Sequence, residues 1–386
     1  MIRRALSETL LEMAGEYPVV VLTGAKQAGK STLAKSSFPG YRHISLEDPD
    51  EREFARDDPR AFLAHCGTRV ILDEAQLAPE LFGFILQALD AKCEPGMFVL
   101  TVSANSLLMR QILEKNDDRV GVLQLLPLTC AEAAQMRVES DWTWILKGGY
   151  PRIYDFDSRP GEYFPRYIRT YLEREVHADL GVRELEAFER FMRACAARIG
   201  RPLNINELAR ECGASAKTAR NWLRALQHGQ VVRLVPAFWA AIGKRLTRSP
   251  KLYFYDTGLV CNLLGIGRVD EAERGAYRGV LFENAVLAEL LKARANTGRP
   301  ANVQYMRDSN GSGVDFIVTG DDGELTLIEA EASSTYNECF FKQLEKFGPL
   351  LGVPVESRYV VFGGEERMEA PGGRVLGLRH VHELAE

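Results

Sequence analysis

The sequence predicts an α/β chain of more than one domain, and three observations predict it. Short apolar runs alternate with helical patterns over residues 1–136, as in a sheet flanked by helices. A basic and largely helical stretch occupies the middle of the chain. From Leu252 the texture returns to strand, helix, strand. At 386 residues the chain exceeds what one ordinary core organises, so two or three domains are expected. We divide it into a parallel-sheet domain at 1–136, a helical connector at 137–185, a basic helical segment at 186–251 and a second α/β domain at 252–386.

The first domain reads as strands at Val19–Leu22, Tyr41–Ser45, Val70–Leu72, Phe98–Val102 and Val122–Leu125, closed by Pro127 and the polar stretch near Ser140. The connector is rich in aromatics (Trp142, Trp144, Tyr150, Tyr154) and leads into a helix around Tyr163–His177. Residues 186–235 are helical, turn at Gly213 and end in a short strand pair. The last domain reads as a helix at 281–295, strands at 301–307, 314–318 and 325–331, a helix at 336–347 and a strand at 357–362. Internal repeats and low-complexity linkers are absent from the sequence.

Composition excludes several classes. Hydrophobic residues make up 46% and charged residues 26%, with a mean hydropathy of −0.17, so a water-soluble protein is expected. No apolar run reaches the length of a bilayer span, and Met1-Ile-Arg-Arg opens an amphipathic pattern without a signal-peptide core, so no membrane partner and a cytoplasmic location are expected. The seven cysteines are scattered without a CxxC, against a disulfide framework or a zinc site. The net charge of −5 conceals an asymmetry: Arg190–Lys251 carries 13 Lys/Arg against two acids, a balance of +11, so the remainder sums to −16. A basic segment on an acidic body suits a polyanion, and it also suits neutralisation of an acidic neighbour.

The apolar strand from Val19 runs straight into GAKQAGKST at 24–32, which fits G-x-x-x-x-G-K-[ST]. This is the chemistry of a phosphate loop. Gly24, Gln27, Ala28 and Gly29 lend backbone N–H groups to phosphate oxygens, with Thr32 in the helix that opens there. Lys30 neutralises the β- and γ-phosphates, and the Ser31 hydroxyl ligates Mg²⁺. ATP and Mg²⁺ are therefore the expected ligands. The run Val70-Ile-Leu-Asp73-Glu74 supplies the partner carboxylates. Asp73 stands at the C-terminal end of a buried strand, where open α/β sheets bind ligands, and belongs to the Mg²⁺ shell. Glu74 polarises the attacking water, which makes the expected activity ATP hydrolysis. The strand FVLTVSANS at 98–106 ends in Ser103 and Asn105, candidate sensors of the γ-phosphate. Arg119 is a candidate arginine finger for a neighbouring subunit in a homo-oligomer. Each of these also has an ordinary structural reading.

In INELARECGASAKTARNWLRALQHGQVVRLVPAF (205–238), Ala219, Trp222, Leu223 and Leu226 form one helical face. Lys217, Arg220 and Arg224 recur at three and four and form the other. That is the layout of a winged helix-turn-helix with Gln230–Pro236 entering the wing, and it points to DNA or RNA through 190–251. Arg193, Arg198, Arg201, Lys244, Arg245, Arg248 and Lys251 extend the basic patch. A protein-docking role is the other use of such a unit.

The C-terminal order of helix, three strands, helix and strand is the core order of restriction-endonuclease-like domains. Acids stand at the matching places: Glu283 on the first helix, Asp315 in GSGVDFIV, then Glu329 and Glu331 in IEAEAS. Such domains use acids to hold Mg²⁺ and a lysine to help the attacking water. Here the lysine position is Glu331. On the next helix Phe340, Leu344 and Phe347 mark the buried face, and Lys342 lies about 200° around from Phe340, facing solvent. A nuclease-like fold with weak or absent cleavage is the expectation.

Together the chain resembles a bacterial and archaeal group of AAA-type P-loop ATPases with a winged helix and a restriction-endonuclease-like C-terminal domain. The resemblance rests on TGAKQAGKSTL, ISLEDPDEREFARDDPRAFL, VILDEAQLAPELF, FVLTVSANSLL, LLPLT, YIRTYLEREV, SPKLYFYDTGL, LFENAVLAEL, GVDFIV and IEAEAS. It implies nucleotide and Mg²⁺ binding through Gly29, Lys30, Ser31 and Asp73, and hydrolysis helped by Glu74. This sequence departs from the group at Val102, where glycine is usual, at Gln27-Ala28, where Gln-Val is usual, and at Glu331. Arg169 and Arg174 in YIRTYLEREV are further candidates to contact phosphates. The expected function is a Mg²⁺-dependent ATPase coupled to nucleic acid; an ATP-switched regulatory protein with a protein partner and an ATP-gated nuclease are the alternatives.

Overall fold

The computed structural model describes residues 2–104, 107–115, 117–136, 138–171, 185–239 and 246–385. Backbone packing divides the chain into two compact units. One comprises Met1–Pro127, His228–Gln230 and Ala295–Arg299; the other comprises Leu128–Gln227, Val231–Arg294 and Pro300–Glu386.

The first unit is built on a parallel sheet of β1 (Val19–Gly24), β2 (Arg42–Ser45), β3 (Val70–Asp73), β4 (Phe98–Ser103) and β5 (Val120–Leu125), in the order β2-β3-β4-β1-β5. All five expected strands are present. Both faces are covered, which is why β1 reads as a continuous apolar run and every one of its residues is buried. On one face Val20, Leu22, Ile71 and Val99 pack with Leu33 and Ala34 of the helix Lys30–Ser37. On the other, Val19, Val21, Leu72 and Leu100 pack with Phe62, Phe82 and Ile85. Each such buried aliphatic side chain contributes roughly 1.5–3 kcal/mol of transfer free energy. The two Asp-Pro pairs work as helix starts. Asp48 accepts from Asp50 N at 3.0 Å and Asp58 from Ala61 N at 3.0 Å, each followed by proline in the first helical turn.

In the second unit the expected helix near Tyr163–His177 is found at Pro160–Tyr171, and the rest of it lies outside the described residues. Helices Ile205–Glu211 and Ala216–His228 flank the turn at Gly213, whose φ of 69° is the left-handed conformation glycine allows. Ala219, Trp222, Leu223 and Leu226 are buried, with Trp222 edge-on to Phe188 and Phe191, while Lys217, Arg220 and Arg224 are exposed. An antiparallel pair follows, β6 (Val232–Val235) with β7 (Lys251–Phe254), and β7 spans the expected boundary at 251/252.

The C-terminal sheet contains β8 (Val303–Arg307), β9 (Gly313–Thr319), β10 (Leu325–Glu331), β11 (Arg358–Phe362), β12 (Met368–Ala370) and β13 (Gly373–Gly377), in the order β12-β13-β11-β10-β9-β8. The β10–β11 and β11–β13 pairs are parallel and the others antiparallel. The helix Arg278–Asn296 precedes it. Two features correct the sequence reading. The hairpin of β12 and β13 was not expected, because three- and five-residue strands carry too little alternation to stand out. The expected helix at 336–347 is a 3₁₀ turn, Glu338–Phe341, followed by the helix Lys342–Leu351. The tighter turn shifts the phase, so Phe341 joins Leu344 and Phe347 in the core and Phe340 is only half-buried.

Among the described residues no helix is long and apolar enough to cross a membrane.

Candidate active site

The end of β1 and the loop after it turn tightly into the next helix. A Cβ on Gly24 would stand 2.3 Å from the Leu125 carbonyl oxygen, so only glycine lets β1 lie against β5 here. Gln27 at φ 64° and Gly29 at φ 98° turn the loop into the helix Lys30–Ser37. Ala28 is buried and Thr32 exposed on that helix. From below, the buried Arg4 donates to the Ala28 carbonyl at 2.9 Å and to the Leu126 carbonyl at 2.7 Å. Lys30 is 5% exposed, and its Nζ donates to the carbonyls of Gly24 at 3.0 Å and Ala25 at 3.1 Å.

Asp73 closes the site from β3. Its Oδ1 accepts the Ser31 hydroxyl at 2.7 Å and the Thr101 hydroxyl at 2.5 Å, and Oδ2 faces His43 Nε2 at 3.4 Å. Glu74 follows in a left-handed conformation, φ 56° and ψ 44°. Its amide donates to Thr101 Oγ1 at 2.9 Å, and its carboxylate accepts from Gln76 Nε2 at 2.5 Å. Gln76 also donates to Ser103 Oγ at 3.2 Å and accepts from the Ser103 amide at 3.2 Å, tying Glu74 to the end of β4. Residues far apart in the chain thus meet at the C-terminal ends of β1, β3 and β4. The hard oxygens of Ser31 and Asp73, already in contact, suit a Mg²⁺ ion.

Asn105 and Arg174 lie outside the described residues, as do Lys244 and Arg245. Arg119 is not brought to the phosphate loop of its own chain. It precedes Val120, which pairs with Val19 at the opposite end of β1 from Gly24. There it donates to Asp117 from Nε at 2.9 Å and Nη2 at 2.8 Å, and to Asp90 from Nη1 at 2.8 Å. The Arg119 hydrogen bond holds Asp117 down to about 2. Sequence reading missed Arg4, His43, Thr101 and Gln76, since no local motif marks them.

The second unit gathers the other acids. Glu283 Oε1 accepts Lys251 Nζ at 2.8 Å and the Tyr253 hydroxyl. Lys251 Nζ also stands 3.8 Å from Asp315 Oδ1. Asp315 and Glu329 are cross-strand neighbours: the Asp315 amide donates to Glu329 Oε1 at 3.1 Å, and the Ala330 amide to Asp315 Oδ2 at 3.2 Å. Glu331 is half-buried on the same strand. The carboxylate oxygens are thus turned to protein donors, and among the described residues no three acidic, histidine or cysteine side chains are arranged to hold a metal ion.

Lys251 corrects the sequence reading. It is 5% exposed, so it does not belong to the exposed basic patch but to the acids, where β7 delivers it. Two more members of that patch are internally neutralised: Arg198 pairs with Glu207 and Glu211, and Arg193 with Glu189. Among the described residues Lys217, Arg220 and Arg224 make no ion pair.

Burial, and then the Glu283 charge, push Asp315 up to about 7; burial and the Asp315 charge raise Glu329 well above the carboxylate range. Burial opposes the charge on Lys251, but Glu283 and Asp315 outweigh it and raise its pKa. A folded-state pKa above the unfolded value means the folded state binds the extra proton. Stability from Asp315 is therefore full below about 4 and declines as pH rises toward about 7. Asp315→Asn is expected to flatten that decline, checked by urea unfolding of native and variant chains at pH 5 and pH 8. Equal pH dependence in both would contradict the assignment.

Three family models match the chain: an AAA domain over residues 16–134, a domain of unknown function (DUF8612) over 139–270 and another (DUF4143) over 278–381. The uncharacterized proteins Mb2031c of Mycobacterium bovis and Rv2008c of Mycobacterium tuberculosis are each 33% identical over 324 residues, covering 82% of this chain and 71% of theirs. Among solved structures, the Walker-type ATPase PABY2304 of Pyrococcus abyssi overlays at a TM-score of 0.45 with 14% identity, over 68% of this chain and 96% of that one. A RuvB structure of Thermotoga maritima overlays at 0.28 with 21% identity, over 60% and 87%. With 33% identity over most of both chains, this protein belongs to the same family as the two mycobacterial proteins, and its residues 16–134 are an AAA domain of the P-loop ATPase kind.

Proposed function

We propose that the chain binds ATP with Mg²⁺, hydrolyses it in its AAA domain and couples the cycle to nucleic acid. The observation that carries the hydrolase reading is the Ser31 hydroxyl on the Asp73 carboxylate at 2.7 Å, with Glu74 next in sequence. Backbone amides of residues 24–31 receive the phosphates, and the Lys30 ammonium leaves the Gly24 and Ala25 carbonyls to meet the β- and γ-phosphate oxygens. Ser31 and Asp73 would hold Mg²⁺, which would supply charge neutralisation. Gln76 aims the Glu74 carboxylate, which takes the proton of the water that attacks the γ-phosphorus as the bond to ADP breaks.

In this reading residues 1–136 are the ATPase domain, 137–185 a connector, 186–251 a winged helix and 252–386 a restriction-endonuclease-like domain. The exposed row of Lys217, Arg220 and Arg224 contacts phosphates. Added nucleic acid is expected to raise the ATPase rate, and reversal of all three charges to Glu to cancel the rise and flatten the salt dependence of binding. Nucleic acid that leaves the rate unchanged would favour a protein-binding switch.

A nuclease reading of the second unit is favoured by one observation, the Lys251 ammonium beside Glu283 and Asp315, since it supplies the cation that Glu331 lacks. Plasmid cleavage with Mn²⁺ that Asp315→Asn abolishes would support it, and no cleavage by the native chain would remove it.

A further inference from the structure

We propose that His43 is a nitrogen ligand of the divalent cation that enters the AAA site with nucleotide, and that it gives the site a preference for Mn²⁺ over Mg²⁺. The inference rests on the nucleotide reading above and adds a residue and a metal preference to it.

His43 is on β2, in register with Ile71 of β3, two residues before Asp73. Alternation puts His43, Ile71 and Asp73 on one face of the sheet, the face on which Ile71 packs with Leu33 and Ala34 of the phosphate-loop helix. The ring therefore approaches Asp73 from the side on which Ser31 stands. Its Nε2 is buried, faces Asp73 Oδ2 at 3.4 Å and makes no hydrogen bond among the described residues.

The two oxygens of Asp73 are unlike. Oδ1 is occupied by the Ser31 and Thr101 hydroxyls, at 2.7 and 2.5 Å, and these orient the carboxylate. Oδ2 is presented to the imidazole. A ring-nitrogen lone pair turned to a carboxylate oxygen gains nothing from it, and a buried nitrogen left without a hydrogen bond is unfavourable. A cation between them removes both penalties. Adjacent donors at about 2.1 Å from an octahedral ion stand about 3 Å apart, so the 3.4 Å separation closes on a cation by a shift of a few tenths of an ångström.

A nitrogen donor changes which ion is preferred. Mg²⁺ takes oxygen donors and yields its waters reluctantly; Mn²⁺, although the weakest of the first-row ions toward N/O/S sites, is a transition ion that still accepts an imidazole nitrogen where Mg²⁺ does not. Ser31, Asp73 and the phosphates supply oxygens alone; His43 supplies the nitrogen. In sequence it is an unremarkable residue in RHIS, thirty positions from Asp73, and only the β2–β3 pairing brings the two together.

The test is electron spin-echo envelope modulation of Mn²⁺·ADP bound to the full chain, with natural-abundance and ¹⁵N-histidine protein. A directly coordinated nitrogen that changes with the label and is missing in His43→Gln is the expected result. The Mn²⁺-to-Mg²⁺ affinity ratio in the ADP complex is expected to fall about tenfold in that variant. Mn²⁺·ADP bound without a coordinated nitrogen overturns the proposal and leaves the nucleotide reading standing. If Mn²⁺·ADP does not bind at all, the nucleotide reading falls and this proposal with it. The labelled native protein decides the question alone if His43→Gln does not fold.

Discussion

Lys30→Ala is expected to lower kcat/KM for ATP by about 10³-fold or more, with nucleotide binding weakened as well. Lys30 is 5% exposed, and its ammonium rests on the carbonyls of Gly24 and Ala25. Charge that develops on the phosphates during transfer then meets no side-chain ammonium from the loop, only backbone dipoles and the metal, and a single preorganised donor of this type is worth about 10²–10³ in rate. Glu74→Gln separates binding from chemistry. Its amide replaces the carboxylate that takes the proton, so kcat is expected to fall about 10²–10⁴-fold with nucleotide affinity kept. Steady-state hydrolysis and titration with a fluorescent nucleotide check both variants. Native turnover in Lys30→Ala would end the hydrolase reading.

Lys251→Met is expected to destabilise the second unit by about 3–5 kcal/mol, the range for removing one member of a buried ion pair. Methionine keeps most of the length of the side chain and removes the charge. Glu283 loses its 2.8 Å partner, and Asp315 loses the nearest cation at 3.8 Å. Two carboxylates are then left beside Glu329 with neutral donors only, the Tyr253 hydroxyl and the Ala330 amide, so protonation or local opening must follow. Thermal unfolding followed by circular dichroism is the check, with Lys217→Met as the control. Lys217 is exposed, and its loss is expected to change stability by less than about 0.5 kcal/mol. Equal melting of the two variants would mean that the Lys251 contacts contribute nothing.

The acidic cluster also shows where sequence reading stops. Glu283, Asp315, Glu329 and Glu331 were picked out by the order of helix and strands in which they stand, which resembles that of restriction-endonuclease-like domains. The cation they use was not. The next lysine along the chain, Lys342 on the following helix, is exposed as expected. The lysine that reaches them arrives from β7, 64 residues before Asp315 by their numbers, and its sequence context marks it as part of a basic run. Periodicity reports which way a side chain points from its own backbone, not what another segment brings up to it.

The same division runs through the nucleotide site. The glycines, Lys30 and Ser31 act within one turn of chain, and Asp73-Glu74 ends a strand whose burial is written in its composition. Asp48 and Asp58, each before proline, start their helices by bonds spanning two or three residues. Such effects are local, so the sequence by itself determined the phosphate loop, the five strands of the first sheet, the helix starts and the two faces of the helix Ala216–His228. Strand order, by contrast, depends on pairings between distant segments that compete over the whole chain. That competition alone decided that β2 lies beside β3, which brings His43 to Asp73, that Arg119 falls at the far end of the sheet, and that β7 carries Lys251 into the acids. The physical reason is the range of the interactions: hydrogen bonds and apolar periodicity within a segment are set by near neighbours, and the placement of a buried charge is set by whichever distant partner satisfies it.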